Sequence, residues 1–284
     1  MDNSSCIGRV IAKYNSQTAT VAERKIASFI KENMDKAVHC TLLELAELIG
    51  VSDATVVRFC KSLGYKGFQE FKICAAMETI PSSQQYHPKL QKDDDPEEIC
   101  KKIFSTEITA LQRTLQALDM ETVAQVGHIL SQASRIVFAG TGASMLVCQD
   151  AHHKFLQIGI HVSAAEDKDI QLMEAALLRP GDVLFAVSHS GNNLHVLHAA
   201  ELGKSCGATV VGLTQVGKNN LAQIADYTIT TVSEETIFRS EAASTRLAQL
   251  AVIDSLIAIV AFQDYDQAYQ SIYKIRTATM VNKA

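Results

Sequence analysis

The stretch Thr41–Lys72, TLLELAELIGVSDATVVRFCKSLGYKGFQEFK, reads as two short helices joined by a tight turn. Thr41 and Glu44 have capping-box spacing, so each can satisfy an orphan backbone N–H of the other. Leu42, Leu45, Ala46 and Ile49 recur at helical spacing and form one apolar stripe. Gly50 stands where a left-handed residue ends a helix, and Ser52 where an N-cap opens the next. In the second helix Val56, Phe59, Cys60 and Leu63 make the inward stripe. Thr55, Arg58 and Ser62 face away, with Asp53 and Lys61 on the flanks. A second capping box, Thr20 with Glu23, opens an upstream helix that carries Ala22, Ile26, Phe29 and Ile30 on one face. Three helices so arranged predict an all-α helix-turn-helix domain that reads double-stranded DNA. Ser52, Asp53, Thr55, Arg58, Lys61 and Ser62 would lie along the helix that enters the major groove. Lys66, with Lys72 beyond it, is placed to hold phosphates. The competing reading is a plain helical hairpin with a solvated polar face; the upstream capping box and the ordered stripes favour the DNA reader.

The chain has 284 residues, enough for two domains, and its 47% apolar content supplies packed cores. Net charge is −5, so bulk electrostatics do not recommend it as a polyanion binder. The charge is uneven: residues 1–75 hold 10 Lys/Arg against 8 Asp/Glu, a local +2, which leaves −7 for the rest. So slight a basic excess predicts a narrow DNA contact surface and reliance on assembly as a homo-dimer or tetramer. Seven cysteines with no CxxC pair predict reduced thiols in a cytoplasmic protein. No signal-peptide pattern is evident at the N-terminus, and no membrane partner is expected. The apolar helix from about Ala248 to Phe262 holds Asp254 and reads as too short to span a bilayer, hence as a core or interface helix.

Residues 1–77 are expected to be the helix-turn-helix domain and 78–96 a linker, since Pro81–Pro96 is polar and holds three of the four prolines. Residues 97–124 read as a connecting helical segment, with Ile99, Ile103, Ile108 and Leu111 as its apolar points. From Arg135 the texture changes. Apolar runs at Ile136–Ala139, His161–Ala164, Val183–Val187, Ala208–Thr214 and Tyr227–Val232 alternate with helical stretches. That alternation predicts an α/β domain over 125–265, a five-stranded parallel sheet flanked by helices, with 266–284 as a C-terminal tail.

Ligands in such sheets bind beyond the carboxyl ends of the strands. Two loops lie at that edge, Gly140-Thr141-Gly142-Ala143-Ser144 and Ser188-His189-Ser190-Gly191-Asn192-Asn193. Each is small or hydroxyl-bearing and runs into a helix, so its backbone N–H groups and the helix dipole favour an anion. Ser188, Ser190 and Asn193 add side-chain donors, Gly191 permits the turn, and His189 contributes through its backbone N–H. The first loop lacks the full dinucleotide pattern, since Met145 stands where the third glycine belongs. Donors without a lysine point to a phosphomonoester on a small molecule.

The two halves together resemble the RpiR family of bacterial transcription regulators. The N-terminal part, about residues 1–77, is similar to that family's helix-turn-helix domain through VSDATVVRFCKSLGYKGFQEFK. The C-terminal part, about residues 125–265, resembles a sugar isomerase (SIS) domain through FAGTGAS and SHSGNN. The resemblance implies a sensor of phosphorylated sugars. It implies that Ser188, Ser190 and Asn193 hold phosphate, that Gly142, Ala143 and Ser144 line the sugar side, and that Glu235 is the later acidic position. The sequence departs in Ala143, where Gly or Thr is frequent, and in Asn193, which replaces the Thr of SIS isomerases with an amide.

His152, His153, His189, His195 and His198 raise the question of a metal. His195 and His198 are three apart on one helix, a usable ligand spacing, but the sequence places no third ligand. Neither a metal nor a cofactor is expected. In an isomerase Glu235 would be the general base; with a DNA reader attached it is expected to bind a sugar hydroxyl. Arg239 and Arg246 would complete the anion site or form interface ion pairs. The expectation is a non-enzymatic regulator whose operator affinity is set by a phosphorylated sugar. The alternative is an aldose–ketose phosphosugar isomerase with an accessory helical domain.

Overall fold

The structure, a computed structural model, describes residues 5–79, 90–233 and 243–280. Described residues up to Ile103 form one compact unit and those from Phe104 another. Most of the stretch expected to be a linker, residues 80–89, lies outside the described residues.

The first unit is helical: α1 (Cys6–Asn15), α2 (Val21–Glu32), α3 (Met34–His39), α4 (Leu42–Ile49), α5 (Asp53–Ser62) and α6 (Phe68–Thr79). Both expected capping boxes form, Thr20 with Glu23 on α2 and Thr41 with Glu44 on α4. Losing such a cap costs about 1 kcal/mol. Gly50 ends α4 at φ 71°, ψ 50°, and Ser52 caps α5 through Thr55 N–H at 3.3 Å. The stripes converge on one core in which Ile26, Ile30, Leu45, Val56, Phe59 and Phe71 are buried. The three expected helices are joined in it by α1, α3 and α6. Val10 of α1 and Phe68 and Phe71 of α6 fill space that three helices alone would leave open.

The second unit begins within α7 (Pro96–Ala117), which α8 (Met120–Gln132) follows. The buried face of α7 is not the isoleucine stripe but Thr106, Ala110 and Thr114, one turn apart; Ile99 and Ile108 are exposed. Small residues let the helix lie close. Thr114 Oγ1 accepts from Val232 N–H at 3.0 Å and donates to Val232 O at 3.2 Å, standing in for a backbone ladder.

The sheet then alternates with helices: β1 (Ile136–Ala139), α9 (Ala143–Gln157), β2 (Val162–Ser163), α10 (Lys168–Ala176), β3 (Val183–Val187), α11 (Leu194–Ser205), β4 (Thr209–Gln215), α12 (Asn220–Ile224) and β5 (Tyr227–Thr231). All five strands are parallel, in the order β2-β1-β3-β4-β5. Alternate residues face opposite ways. Phe138, Phe185, Val187, Val211 and Leu213 pack on one face beneath α8, α9 and α13 (Ala243–Gln263). Val137, Ala139, Leu184, Ala186 and Val210 pack on the other beneath α10, α11 and α12. Phe138 anchors the first face, its ring 5.0 Å from Phe185 and 6.0 Å from Phe155. Burying each such ring stabilises the fold by roughly 1.5–3 kcal/mol. β2, two residues long, is an edge strand paired to β1 alone.

The terminal region differs from expectation. The apolar helix is α13, 21 residues and not the shorter run at 248–262. Over Thr245–Gln263 it is long and apolar enough to cross a membrane by length and composition. However, Ala248, Val252, Ile253, Leu256 and Val260 are buried, the last four in the sheet's own core. Residues 265–279 form a further helix, α14 (Tyr265–Thr279). All seven cysteines are free thiols: Cys6, Cys40, Cys60 and Cys148 are buried, Cys74 and Cys206 partly so, and Cys100 is exposed.

Candidate functional site

In the first unit, α5 presents Asp53, Arg58, Lys61 and Ser62 to solvent, while Thr55 is half-buried. The polar face is internally ordered. Ser52 Oγ lies 2.7 Å from Thr55 Oγ1, which accepts from Arg58 Nη2 at 3.2 Å, and Ser62 donates to Phe59 O at 2.8 Å. Lys66 is exposed and its backbone N–H is held by the Glu70 carboxylate, whereas Lys72 is half-buried. The structure adds Lys25 of α2, whose Nζ reaches Gly50 O at 3.4 Å, so a further basic group lies beside the turn. Sequence spacing gives no hint of it, because the contact joins two helices.

In the second unit the two small-residue loops leave adjacent strands, β1 and β3, and enter helices on opposite faces of the sheet. The crevice between such diverging loops is where open α/β sheets bind ligands. Asn193 joins them. Its Oδ1 accepts from Val196 N–H at 3.2 Å and so caps α11, while its Nδ2 donates to Thr141 Oγ1 at 2.9 Å. The amide nitrogen carries a second hydrogen, so bridging the loops does not exhaust it as a donor. Ser188 is buried with its N–H on Leu213 O at 3.0 Å; Ser190 is exposed, and its Oγ accepts from Asn192 N–H at 3.3 Å. The His189 backbone oxygen accepts from Gln215 N–H at 2.9 Å and from Thr214 Oγ1 at 3.0 Å. Gly191 adopts φ +62° against the buried Asn219. Asn192 Oδ1 accepts from Asn220 N–H, and Gly191 O from Leu221 N–H, so α12 braces the loop from behind.

Beside the first loop lies a cavity of about 290 Å³ lined by Gly140, Thr141, Gly142, Met145, Gln149 and Lys168, among others. Glu166 also borders it and is hydrogen-bonded to Gln149. Gly142 at φ 58° precedes α9 and offers that helix end no side-chain cap. Ala143 and Ser144 are half-buried in the first turn of α9 and are not among the cavity's lining residues. A larger open hollow of about 570 Å³ lies in the first unit between Lys36, Cys40, Glu44 and Leu48, among others. Glu235 and Arg239 lie outside the described residues, so their roles find no geometry here; Arg246 is half-buried on α13.

Gln149, Lys168 and the fully buried Gln171 are absent from the residues that sequence reasoning singles out. Glu166 and Lys168 follow the short β2, and nothing in their spacing marks a pocket. His195 is half-buried, and burial, with Lys168 nearby, holds its imidazole pKa below the ordinary range. Among the described residues no three His, Cys, Asp or Glu side chains come together as a metal site.

A helical unit followed by a parallel α/β unit with a loop-lined crevice matches known proteins in the same order. Residues 10–81 match the helix-turn-helix domain of the rpiR family, and residues 129–259 match the SIS domain. An uncharacterised HTH-type transcriptional regulator of Caldanaerobacter subterraneus is 36% identical over 251 residues, 88% of this chain and 89% of its own. The Bacillus subtilis regulator YbbH is 34% identical over 90% of this chain and 91% of its own. Vibrio vulnificus NanR, solved in complex with ManNAc-6P, superposes with a TM-score of 0.82 at 26% identity, covering 97% of this chain and 98% of NanR. A phosphoheptose isomerase from Francisella tularensis shares the fold of the second unit alone, at a TM-score of 0.52, 18% identity, 60% of this chain and 100% of its own. With both matches in register along the chain and relatives this similar across nearly its whole length, the protein belongs to the RpiR family of HTH-type transcriptional regulators, with a helix-turn-helix domain followed by a SIS domain.

Proposed function

We propose that this regulator binds an operator through α5 and that a phosphorylated sugar in the SIS domain sets its affinity for that operator. Loop 188–193 and the first turn of α11 hold the phosphate. Loop 140–144 and the adjoining cavity receive the sugar. The observation that carries this reading is the Asn193–Thr141 hydrogen bond, which closes two small-residue loops about the N-terminus of α11. A helix N-terminus flanked by such donors stabilises a dianion, and Lys168 on the cavity wall adds a positive charge. The ligand of NanR has the same chemical class. Arg58, Lys61 and Ser62 read base edges; Lys66 and Lys25 hold backbone phosphates.

Two copies are needed, because a single short helix with so few cations makes too few contacts for specific affinity. The apolar residues first expected to join subunits, around 250–259, are largely spent in the core. Exposed aromatics just beyond them, Phe262, Tyr265, Tyr269 and Tyr273, are the better joining surface. Operator binding places the protein in the cytoplasm.

The protein acts as a sensor, without turnover. A thermal-shift screen with sugar phosphates, paired with an isomerisation assay on every hit, tests this: binding raises the unfolding temperature, and the ligand is recovered unchanged. Interconversion of aldose and ketose phosphates that disappears in Glu235→Gln would establish the isomerase instead.

A further inference from the structure

Gln171, on α10, is completely buried, and a buried primary amide is costly unless its donors and acceptor are used. Here they are. Oε1 accepts from Gly140 N–H at 3.2 Å and faces His195 Nε2 at 3.2 Å. Nε2 donates to Gly140 O at 3.1 Å and to Ala165 O at 2.9 Å. The chemistry fixes the orientation of the amide: two carbonyls can only accept and the Gly140 N–H can only donate. His195 Nε2 therefore faces an acceptor and must carry a hydrogen.

We propose that Gln171 is the positioning residue of the effector site, tying the first loop, the segment after β2 and the first turn of α11 to one carboxamide. The inference rests on the reading of that crevice as the phosphosugar site. Gly140 borders the cavity, and Ala165 precedes Glu166, which borders it too. His195 is the second residue of α11, directly after the phosphate loop. The same side chain thus holds the cavity wall and the helix end that receives the phosphate. Only Gln performs this. Met or Leu fills the volume but leaves an N–H and two carbonyls unpaired. Glu keeps the acceptor side and opposes both carbonyls. The charged and titratable groups facing His195 are Lys168 and Asp169 from α10 and His198 from its own helix.

The test uses the full chain. In nitrogen-15 histidine NMR without ligand, wild type shows His195 as the Nε2–H tautomer, and Gln171→Met loses that preference. In calorimetry with inorganic phosphate and with N-acetylmannosamine 6-phosphate, Gln171→Met weakens binding by roughly tenfold, the scale of an unmade buried hydrogen bond, with ligand-free DNA affinity retained. His195→Ala also weakens binding, and the double variant loses less than the two losses combined. Should Gln171→Met fail to fold, Gln171→Glu keeps the tautomer and moves the His195 titration to higher pH. An unchanged tautomer with unchanged affinity in Gln171→Met overturns the proposal, as does an unmoved titration in Gln171→Glu. A wild-type chain that no sugar phosphate stabilises in the thermal-shift screen overturns the phosphosugar reading instead and leaves the NMR result to decide the tie.

Discussion

Replacing Gly191 with Ala strikes the loop after β3, proposed to hold phosphate, at its least forgiving point. The residue sits at φ +62°, where a Cβ costs about 1–2 kcal/mol in local sterics. The new methyl would also lie 2.7 Å from Asn219 Cβ, and nearer still to its Cγ and Oδ1. Asn219 cannot swing aside freely. It is buried, its Oδ1 caps α12 through Ala222 N–H at 2.9 Å, and its Nδ2 donates to Gly217 O at 3.2 Å. Displacing it forfeits a cap worth about 1 kcal/mol and adds overpacking of about 1–3 kcal/mol. The sum, discounted for overlap between neighbours, is about 3–5 kcal/mol. Because the two units have separate cores, the loss is to be read locally, by hydrogen exchange at the β3 and β4 amides across a urea series. In an Asn219→Gly background the side chain in the way is gone, and Gly191→Ala should then cost only the local strain, about 1–2 kcal/mol. Two results refute the reasoning: Gly191→Ala within about 1 kcal/mol of wild type, or the same cost in both backgrounds.

Ser188→Ala combined with Ser190→Ala should weaken phosphosugar binding by about 2–4 kcal/mol, at roughly 1.5–3 per charge-assisted hydrogen bond, with ligand-free DNA binding retained; calorimetry and a gel-shift titration check the two halves. Arg58→Ala should lower discrimination between operator and random DNA. Lys66→Ala should weaken both alike and flatten the salt dependence, read from affinities across a salt series. The His195 pKa lies below its ordinary 6.5, so the unfolded chain takes up this proton first as pH falls. The associated stability is present above the ordinary value and is lost as pH falls towards the folded one. Thermal midpoints taken from neutral to mildly acidic pH should drop, and His195→Gln should flatten that slope.

The elements legible in the sequence are those fixed by local chemistry. Thr41, Gly50 and Ser52 declare helix ends by residue type, and the buried parallel strands declare themselves as apolar runs. The buried face of α7 escapes a periodicity reading because Thr106 and Thr114 are polar by composition yet buried by fit, and burial by fit depends on a partner 118 residues away. Gln171 is invisible for the same reason. An isolated glutamine on a helix carries no signal, and its value comes from Gly140, 31 residues distant in sequence. Loop glycines and serines mark the two loops that the structure brings together at the sheet edge, since a strand-to-helix turn of small residues is a local property. The short strand β2 is legible as the run His161–Ala164, but nothing in the residues that follow it shows that Glu166 and Lys168 border a cavity.

The seven free thiols give the chain a practical property. Burial pushes Cys6 up to about 11 and Cys60 up to about 12, and raises Cys148 further; each is therefore a thiol that stays protonated and shielded at neutral pH. Cys206 is part-buried, with Sγ donating to Ala176 O at 3.5 Å. Cys100, on α7, is the exposed one. A maleimide dye at limiting concentration should therefore mark this position in preference to the others. The natural chain thereby carries a selective attachment point for a fluorophore or spin label, on the helix within which the DNA-reading unit ends and the SIS unit begins, without any cysteine having to be removed.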